Sequence, residues 1–426
     1  MRSKFHGQRK VRFLKLFCCF SVLIQSFYSK GQDTDSSARD VVADGFKLHG
    51  FVMNMTDIAK ISSIKKPMFL GVNGVQLTTF TKENKWWNNG MFSVYLLNTY
   101  GDNPTTDYLG DLQMFSNIES FPDTNNHIHL GKGQLNYRTF IYNLYYQHFF
   151  KKSRLLIGQS DLNLDFAFSN SGLNFINSSF GLQPTIAYNV PSFSTFPFTN
   201  LSIKYEHDFN DKYSFRTAVA QGVGGNQLSN PHATKYVETL KDGGLFFITE
   251  FSRGNYVDEQ LKSEIKIGAW LHTGSKSVRF INHTKSDSVK NHINHGAYLI
   301  FDKLIFSEKS DAEQGLYSFV DLGFSPGDYN IFNYYSGLGL SYKGIFPKRN
   351  KDILSIGYAI PFFSKGLVDK KGYYRSESDL EINYNVVGES FNIQPCVQFV
   401  NDIAGERNKN SIVYMIRFTF HRGNLY

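Results

Sequence analysis

The segment Ile412-Val-Tyr-Met-Ile-Arg-Phe-Thr-Phe420 alternates between two kinds of side chain. Every second residue is a bulky apolar or aromatic one, and the residues between them include Met415, Arg417 and Thr419. Because successive side chains of a β-strand point to opposite faces, this segment predicts a strand with one apolar face. The residues of that face are Ile412, Tyr414, Ile416, Phe418 and Phe420.

The same alternation recurs along most of the chain. From Leu380 to Val386, apolar residues alternate with Glu381, Asn383 and Asn385, and from Ile265 to Leu271 they flank Lys266. Half-apolar strands of about 10 residues, separated by polar turns, are typical of outer-membrane β-barrels. We predict an all-β, antiparallel transmembrane barrel of about 16 strands, closed because no helices are available to cover an edge. The predicted strands begin near Leu70, Met91, Gly110, Thr139, Arg154, Asn200, Lys212, Gly244, Leu261, Ala297, Leu316, Asn333, Asp352, Ser378, Phe391 and Ser411.

The composition agrees with a barrel and not with a helical membrane protein. Aromatic residues make up 16% of the chain, with 40 Phe and 25 Tyr, yet the mean hydropathy is that of a water-soluble protein. A barrel reconciles the two observations, since its lipid-facing apolar residues alternate with polar residues that face the lumen. A secreted, soluble all-β protein that binds glycans is the alternative that composition leaves open.

The N-terminus has the three parts of a secretory signal peptide. Basic residues from Arg2 to Lys15 precede an apolar stretch, Leu16 to Ile24, and small residues follow at Ser29 and Gly31. This pattern predicts a signal peptide over residues 1–31, whose apolar core is shorter than the roughly 20 residues that span a bilayer. We assign residues 32–68 to a linker and a short segment, with Asp57 to Ile64 helical, and residues 69–426 to the barrel.

The charge balance argues against nucleic acid as a partner. Residues 1–31 hold seven of the 45 Lys and Arg and no Asp or Glu, which leaves 38 basic against 37 acidic residues in the mature chain. A nearly neutral chain has no electrostatic basis for binding a phosphate backbone. Cys396 is the only cysteine after residue 31, so neither a disulfide framework nor a cysteine-based zinc site is predicted.

Two long segments interrupt the strand pattern. Asp161 to Ser194 is rich in Asn, Ser, Phe and Gly, and Val223 to Asp242 is polar with a Gly-Gly pair at each end. Loops of this length in a compact domain are usually functional or disordered. In a large barrel they are candidates to fold inward and to narrow the lumen.

Six stretches occur in the order found in the OprB-type carbohydrate-selective porins. They are Tyr108-Leu-Gly-Asp-Leu-Gln-Met-Phe-Ser-Asn-Ile-Glu119, Tyr142-Asn-Leu-Tyr-Tyr-Gln-His-Phe149, Leu156-Ile-Gly-Gln-Ser-Asp161, Phe175-Ile-Asn-Ser-Ser-Phe-Gly181, Gly344-Ile-Phe-Pro-Lys-Arg-Asn-Lys-Asp352 and Asn392-Ile-Gln-Pro-Cys-Val-Gln-Phe399. The chain therefore resembles this family from about Phe69 to Phe420. The resemblance implies a sixteen-stranded barrel in the bacterial outer membrane that lets mono- or oligosaccharides diffuse into the periplasm.

The resemblance also implies contact with outer-membrane lipid and insertion by the barrel-assembly machinery. Two features depart from the family pattern. Asn143 and Gln147 stand in an aromatic stretch that commonly carries an acidic residue, and six residues, His421 to Tyr426, follow the predicted last strand. The first departure bears on sugar preference and the second on insertion. A homo-oligomer is compatible with the sequence, which does not separate a monomer from a trimer.

A sugar channel needs side chains that exchange hydrogen bonds with hydroxyl groups and aromatic rings that stack on the sugar. Strand parity predicts eleven residues that line the pore or contact the solute, and their mixed charges suit a neutral polyol. Inward charges also pair across barrels without touching a solute, and Trp270, the best candidate for ring stacking, also suits an interfacial aromatic belt. The eleven residues are Lys204, Glu206, Arg216, Glu250, Lys266, Trp270, Asp321, Glu381, Gln394, Gln398 and Arg417.

The sequence gives little support for an enzymatic function. His127 with His129, and His292 with His295, have metal-ligand spacing but no clear third ligand, so solvated histidine is the favoured interpretation. No Gly-x-Ser-x-Gly elbow, phosphate loop or His-Glu-x-x-His occurs. We predict a sugar-preferring porin that is not an enzyme and needs no cofactor or metal. A general porin, a lipid-acting barrel enzyme and a surface adhesin are the alternatives.

Overall fold

The computed structural model describes residues 41–43, 46–81, 88–119, 127–130, 133–190, 193–194, 196–223, 243–257, 260–275, 278–279, 287–288, 292–308, 311, 313–371 and 374–423. Sixteen long strands in this part of the chain form one antiparallel sheet. They are β1 (Phe46–Ile61), β2 (Met68–Phe80), β3 (Gly90–Gly101), β4 (Gly133–Phe149), β5 (Ser153–Ser160), β6 (Asn200–Asp208), β7 (Tyr213–Gln221), β8 (Leu245–Val257), β9 (Gln260–Ser275), β10 (His292–Ser307), β11 (Gly315–Phe324), β12 (Phe332–Lys343), β13 (Ile353–Phe363), β14 (Ser378–Val387), β15 (Phe391–Asn401) and β16 (Ser411–Arg422).

The sheet closes on itself. Each strand pairs with its neighbours in the chain, and β1 pairs with β16 from Val52 opposite Arg422 to Ile61 opposite Val413. Closure satisfies the backbone groups of both terminal strands, which lipid could not do. Two short strands extend the sheet at its rims, Val41–Ala43 against β1 and His127–Leu130 against β4. Val278–Arg279 and Asp287–Ser288 form a separate two-stranded ribbon.

The alternation in the sequence predicts the two faces of the barrel correctly. On β16, Tyr414 is 50% exposed and Ile416 is also exposed, whereas Met415 and Arg417 between them are buried, Arg417 with 5% exposure. Exposed apolar side chains occur in the same way on strands all around the wall. They form a belt suited to lipid, and the residues that alternate with them point into the barrel.

The connections differ in length at the two ends of the barrel. At one end, β4 and β5 are joined by residues 150–152, β6 and β7 by 209–212, and β14 and β15 by 388–390. At the other end, β3 and β4 are joined by residues 102–132 and β5 and β6 by 161–199. Outer-membrane barrels have short periplasmic turns and long extracellular loops. The long connections therefore mark the extracellular end, and β1 begins at the periplasmic end.

The assignment of Phe46–Ile61 to a linker and a short helical segment is wrong, because this stretch is the first barrel strand. Its alternation is hidden, since the outward face carries polar Asn54 and Thr56 while the inward face carries apolar residues such as Met53. The Tyr100 hydroxyl on β3 lies 2.9 Å from the Thr56 hydroxyl and also bonds Asn54. These contacts satisfy the polar groups on the outer wall. The barrel thus begins well before residue 69.

The strand predicted near Gly110 is also wrong. Thr105–Leu109 is a π-helical turn, and the backbone then has positive φ at Gly110 (77°) and Met114 (52°), which an extended strand does not allow. The local alternation of Leu109, Asp111 and Gln113 imitates a strand. The two-residue alternation of β4 is interrupted between Phe140 and Gln147, because a β-bulge opposite Tyr95 and Leu96 shifts the register there.

The prediction that Asp161–Ser194 folds inward is confirmed. The segment contains the short helix α1 (Pro184–Ala187) and single 3₁₀ turns at Leu162–Leu164, Gly172–Asn174 and Ser178–Phe180. Outside it lie the helix α2 (Lys365–Lys371) and a 3₁₀ turn at Ile403–Gly405. The predicted signal peptide and nearly all of the predicted loop Val223–Asp242 lie outside the described residues. No helix in the described ranges is long and apolar enough to cross a bilayer.

Candidate functional site

Two chain segments occupy the interior of the barrel, and we call them segment A (residues 102–119) and segment B (residues 161–190, 193–194 and 196–199). They are joined by backbone hydrogen bonds: Asn117 N–H donates to the Ile176 carbonyl and Ser178 N–H donates to the Met114 carbonyl, both at 3.0 Å. Neither segment adds a strand to the wall. The lumen therefore contains a second layer of structure, which leaves less room for a solute than the wall alone would.

Wall carboxylates hold the backbone of segment B. Asp302 on β10 accepts hydrogen bonds from the backbone N–H groups of Asn170 (3.2 Å) and Ser171 (2.9 Å) and from the Ser169 hydroxyl (2.7 Å). Glu250 on β8 accepts the N–H of Ala167 at 3.1 Å. Hydrogen bonds to ionised acceptors are stronger than neutral ones. These contacts fix the first half of segment B against the wall.

A second anchor lies across the barrel at Glu381 on β14. Its carboxylate accepts the backbone N–H groups of Ile176 and Asn177, at 2.9 and 2.8 Å. Beside it, Gln394 and Asn383 both donate side-chain N–H groups to the Asn174 carbonyl, at 2.9 and 3.1 Å. The middle of segment B is thus held by β14 and β15.

Segment A has its own anchors. Glu377, just before β14, accepts the backbone N–H groups of Leu112 and Gln113, both at 2.9 Å, and that of Ala404 at 2.7 Å. Burial raises the pKa of Glu377, and repulsion from Asp111 raises it further. Burial likewise raises the pKa of Asp111. The attachment of segment A therefore contains two buried acids that disfavour being charged together.

Buried ion pairs complete the polar wall. On β6 and β7, Lys204 pairs with Asp165 of segment B, and Arg216 contacts Glu206 at 3.0 Å and the Asp165 carbonyl at 3.0 Å. On β16, Arg417 holds Asp57 of β1 through two hydrogen bonds of 2.7 and 2.6 Å. Charges that are buried and paired in this way stabilise a fixed geometry rather than present a free charge to a solute.

Apolar contacts fill the remaining space between the wall and segment B. Phe166 and Ile186 of segment B pack in one cluster with Phe246, Trp270 and Ile300 of the wall. A second cluster joins Phe175 and Phe180 to wall residues of β11, β12 and β13. Inward positions of this barrel are thus in part a hydrophobic core, which the expectation of a polar, wet lumen did not include.

All eleven predicted pore residues are buried on the inner side of the wall. Ten of them make polar contacts to inward segments or to each other: Asp321, for example, accepts a hydrogen bond from Gln183 (3.1 Å), Gln398 donates to the Phe115 carbonyl (2.8 Å) and Lys266 donates to the Phe168 carbonyl (2.9 Å). Trp270 is only 3% exposed and packs against Phe246, with 6.4 Å between ring centroids. Its indole faces are therefore covered in this structure.

Several anchors are absent from the predicted set. Asp302 could have been found, because the alternation of Leu299 and Phe301 with the residues between them continues along β10 and places Asp302 inward. Asp57 was missed because its strand was assigned to a helix. Glu377 precedes its strand but has the same parity as Asp379 and Glu381, so extending the β14 alternation by two residues toward the N-terminus would have found it. Among the described residues, no group of three or more potential metal-binding side chains occurs.

The comparisons with known proteins agree with this architecture. The model of the OprB carbohydrate-selective porin family matches residues 81–421. The structure of Pseudomonas putida OprB at high pH superposes with a TM-score of 0.70 at 16% identity, covering 89% of this chain and 94% of that one. The low-pH structure of the same protein gives 0.55 at 12% identity, covering 89% and 93%. At these identities the likeness shows the fold.

A comparison with curated proteins found no match. The family match spans more than half of the chain, and it coincides with a closed barrel of sixteen strands, a lipid-facing apolar belt and two segments that narrow the lumen. These observations place the protein in the bacterial outer membrane as a channel for sugars. The chain belongs to the OprB family of carbohydrate-selective porins.

Proposed function

We propose that small neutral carbohydrates diffuse to the periplasm through the space that segments A and B leave open, and that these segments set the sugar preference. The observation that carries the proposal is the anchoring of segment B by Asp302, Glu250 and Glu381. Anchored in this way, the segments stay at a fixed distance from the opposite wall. A fixed, narrow passage selects solutes by shape and by hydrogen bonding.

The eleven buried wall residues act on the solute indirectly in this proposal. Most of their charges pair with one another or with Asp57 and Asp165. They also position the segments, so that the solute meets the lumen-facing surface of the segments and little net charge. That surface carries exposed Thr106 and Asp107 and half-buried Asn163 and Asn170. Hydroxyl, carboxylate and amide groups exchange hydrogen bonds with sugar hydroxyls. Tyr108, 44% exposed, offers an aromatic ring for stacking in place of Trp270.

Liposome swelling tests the proposal. Purified protein is reconstituted, and the entry of glucose, a disaccharide and an amino acid of similar size to glucose is compared. We expect glucose to enter faster than the size-matched amino acid. Equal rates indicate a general porin, and the absence of any entry overturns the channel role. Phospholipid hydrolysis by the same preparation would instead support the lipid-acting enzyme.

The role of the segments needs a variant and a control. Glu381→Gln removes the charge that holds Ile176 and Asn177. Glu313→Gln removes a charge on an exposed periplasmic turn, where Glu313 pairs only with Lys343 among the described residues. We expect E381Q to reduce the ratio of glucose to amino-acid entry and E313Q to leave it unchanged. Equal ratios in all three proteins contradict the assignment of selectivity to segment B.

A further inference from the structure

Two strands end with the same outward-facing pattern at the periplasmic rim. Tyr146 and His148 lie at the end of β4, and Phe150 directly follows that strand. Tyr205, His207 and Phe209 have the same positions at the end of β6, so that both strands end in the pattern Tyr-x-His-x-Phe. Strand β5 lies between them and pairs with both. The repeated pattern therefore forms one patch on the outer wall, separate from the lumen.

Both histidine rings are held in similar ways. His148 Nδ1 lies 2.7 Å from the Tyr146 hydroxyl, and its ring packs edge-on against Phe150 with 4.7 Å between centroids. His207 Nδ1 lies 2.8 Å from the Ser153 hydroxyl, and its ring packs against Phe209 at 4.8 Å. In each ring the remaining polar atom is Nε2, which makes no hydrogen bond to a described residue.

The patch lies at the boundary of the lipid belt. One step further along the same strands toward the barrel centre, Leu144, Ile157 and Ile203 are all exposed apolar residues. Beyond the histidines, the chain turns back within three or four residues. Tyrosine and histidine side chains with an apolar body and a polar tip suit this depth, where headgroups replace acyl chains.

The turns next to the patch are basic. Residues 150–152 and 209–212 carry Lys151, Lys152 and Lys212, against one acid, Asp211. Lys152 donates to the Phe209 carbonyl at 3.0 Å, which brings its ammonium group to the edge of the patch. Lysines close to an anionic membrane surface each add to binding.

We propose that this patch binds the phosphodiester headgroup of an anionic glycerophospholipid in the periplasmic leaflet. The ammonium groups of Lys151 and Lys152 and the Nε2 atoms of His148 and His207 donate to the phosphate oxygens. The aromatic rings contact the glycerol and the upper acyl chains. The charge of the site selects this occupant, because the cationic group of a zwitterionic headgroup would repel the lysines. The depth of the site selects the periplasmic leaflet, because a lipid of the outer leaflet has its phosphates at the opposite rim of the barrel. The site goes beyond solute passage and does not depend on it.

Native mass spectrometry of the delipidated, folded protein tests the proposal. The detergent-solubilised barrel is titrated with dioleoyl-phosphatidylglycerol and, separately, with dioleoyl-phosphatidylcholine, and bound lipids are counted. We expect a tightly retained phosphatidylglycerol on the wild type. The pair Lys151→Gln and Lys152→Gln should lower its retention by roughly tenfold or more, since each lysine contributes appreciably at an anionic surface.

The control is the pair Lys348→Gln and Lys351→Gln, on the exposed turn between β12 and β13 at the same rim. It removes the same charge far from the histidines. The pair His148→Phe and His207→Phe keeps the aromatic packing and removes the Nε2 donors. We expect the control to retain the lipid and the histidine variant to lose it, with all variants still migrating as folded barrels in unheated gels.

Four results would contradict the proposed site. Equal retention of both lipids by the wild type excludes headgroup recognition. Equal losses of lipid in the control and in the K151Q/K152Q pair show that the lipid responds only to the total charge of the protein. Unchanged retention in the folded histidine variant excludes the imidazoles. A further titration with inorganic phosphate and glycerophosphoglycerol distinguishes a lipid from a free anion: displacement of the bound lipid by millimolar inorganic phosphate contradicts a site that needs the acyl chains.

Discussion

At the scale of single residues, the charged groups inside the barrel act mainly on the protein itself. Asp302 illustrates this, because both of its carboxylate oxygens are used by segment B and it is almost fully buried. An unpaired buried N–H group costs about 1–3 kcal/mol. A wall carboxylate therefore acts mainly by holding the segment in place, and it contributes less to the electric field that a solute experiences.

Replacement of this carboxylate tests the point. Asp302→Asn keeps the shape but turns an amide N–H₂ group toward the donors of Ser169, Asn170 and Ser171. We expect segment B to loosen by about 1–3 kcal/mol, seen as faster hydrogen exchange of the amides of Asn170 and Ser171 and as a larger single-channel conductance. The matched control, Glu313→Gln, should change neither. Unaltered exchange in D302N would show that Asp302 does not hold the segment.

Glycine supplies the room that segment B needs at the wall. Gly339 and Gly357 pair with each other on β12 and β13, and Phe175 lies directly over them. A Cβ atom at Gly357 would be only 2.6 Å from Phe175 Cε1. The missing side chains thus allow the aromatic cluster to approach the backbone closely.

We expect Gly357→Ala to displace Phe175 and Phe180 and to cost roughly 1–3 kcal/mol of stability, the usual range for overpacking. Unfolding in urea, followed by tryptophan fluorescence, measures the change. The double variant Gly357→Ala with Phe175→Leu provides more room, so it should lose less than the two single changes added together. Additive losses would show that the two residues do not share the contact. Gly327→Ala, whose new Cβ meets nothing closer than 3.5 Å, is the control.

At the scale of elements, segments A and B form one internal unit with several attachments. Segment A depends on Glu377, which lies on the connection between β13 and β14 and bonds to three backbone N–H groups. The neighbouring acids are Asp111 of segment A and Asp379 at the start of β14. Deprotonation of Glu377 therefore bears directly on the attachment of segment A.

The pH dependence follows from the raised pKa of Glu377. The folded site binds this proton more tightly than the unfolded chain does, so its stability is fully present below the ordinary pKa of glutamate and is lost as pH rises through the raised value. We expect segment A to loosen at alkaline pH, with larger or noisier single-channel conductance between pH 7 and 9 than at pH 5. Glu377→Gln should remove most of this dependence, and Glu313→Gln should keep it. An unchanged pH profile in E377Q would assign the effect to other groups.

At the scale of the whole molecule, the barrel is a closed ladder to which β1 contributes an essential strand. β1 pairs with β2 from Lys47 to Ala59 and with β16 from Val52 to Ile61. Without it, the backbone donors and acceptors of both neighbours would face lipid, where each unsatisfied group is costly. The first strand thus joins the two ends of the chain at one seam.

Deletion of residues 46–61 tests the limits of the barrel. We expect the shortened chain to lose the fast-migrating folded band in unheated gels and to fail to insert into liposomes. A chain that lacks only residues 1–31 is the reference. Deletion of residues 32–40, which precede the first strand in the chain, serves as the truncation control and should leave the folded band in place. If the chain without residues 46–61 still folds and inserts, the barrel begins at residue 69, as the sequence pattern predicted.

The sequence alone determined that this protein is a barrel, which face of most strands meets lipid, and that residues 161–194 leave the wall. These features depend on a period of two residues along the strand, a local pattern that burial on one side enforces. The tertiary structure alone decided what the inward residues touch. Glu381 holds the N–H of Ile176 although the two are 205 residues apart, and Arg417 holds Asp57 across the seam from 360 residues away. No local pattern encodes such pairs, since they exist only once the sheet has closed and segments A and B have packed inside it.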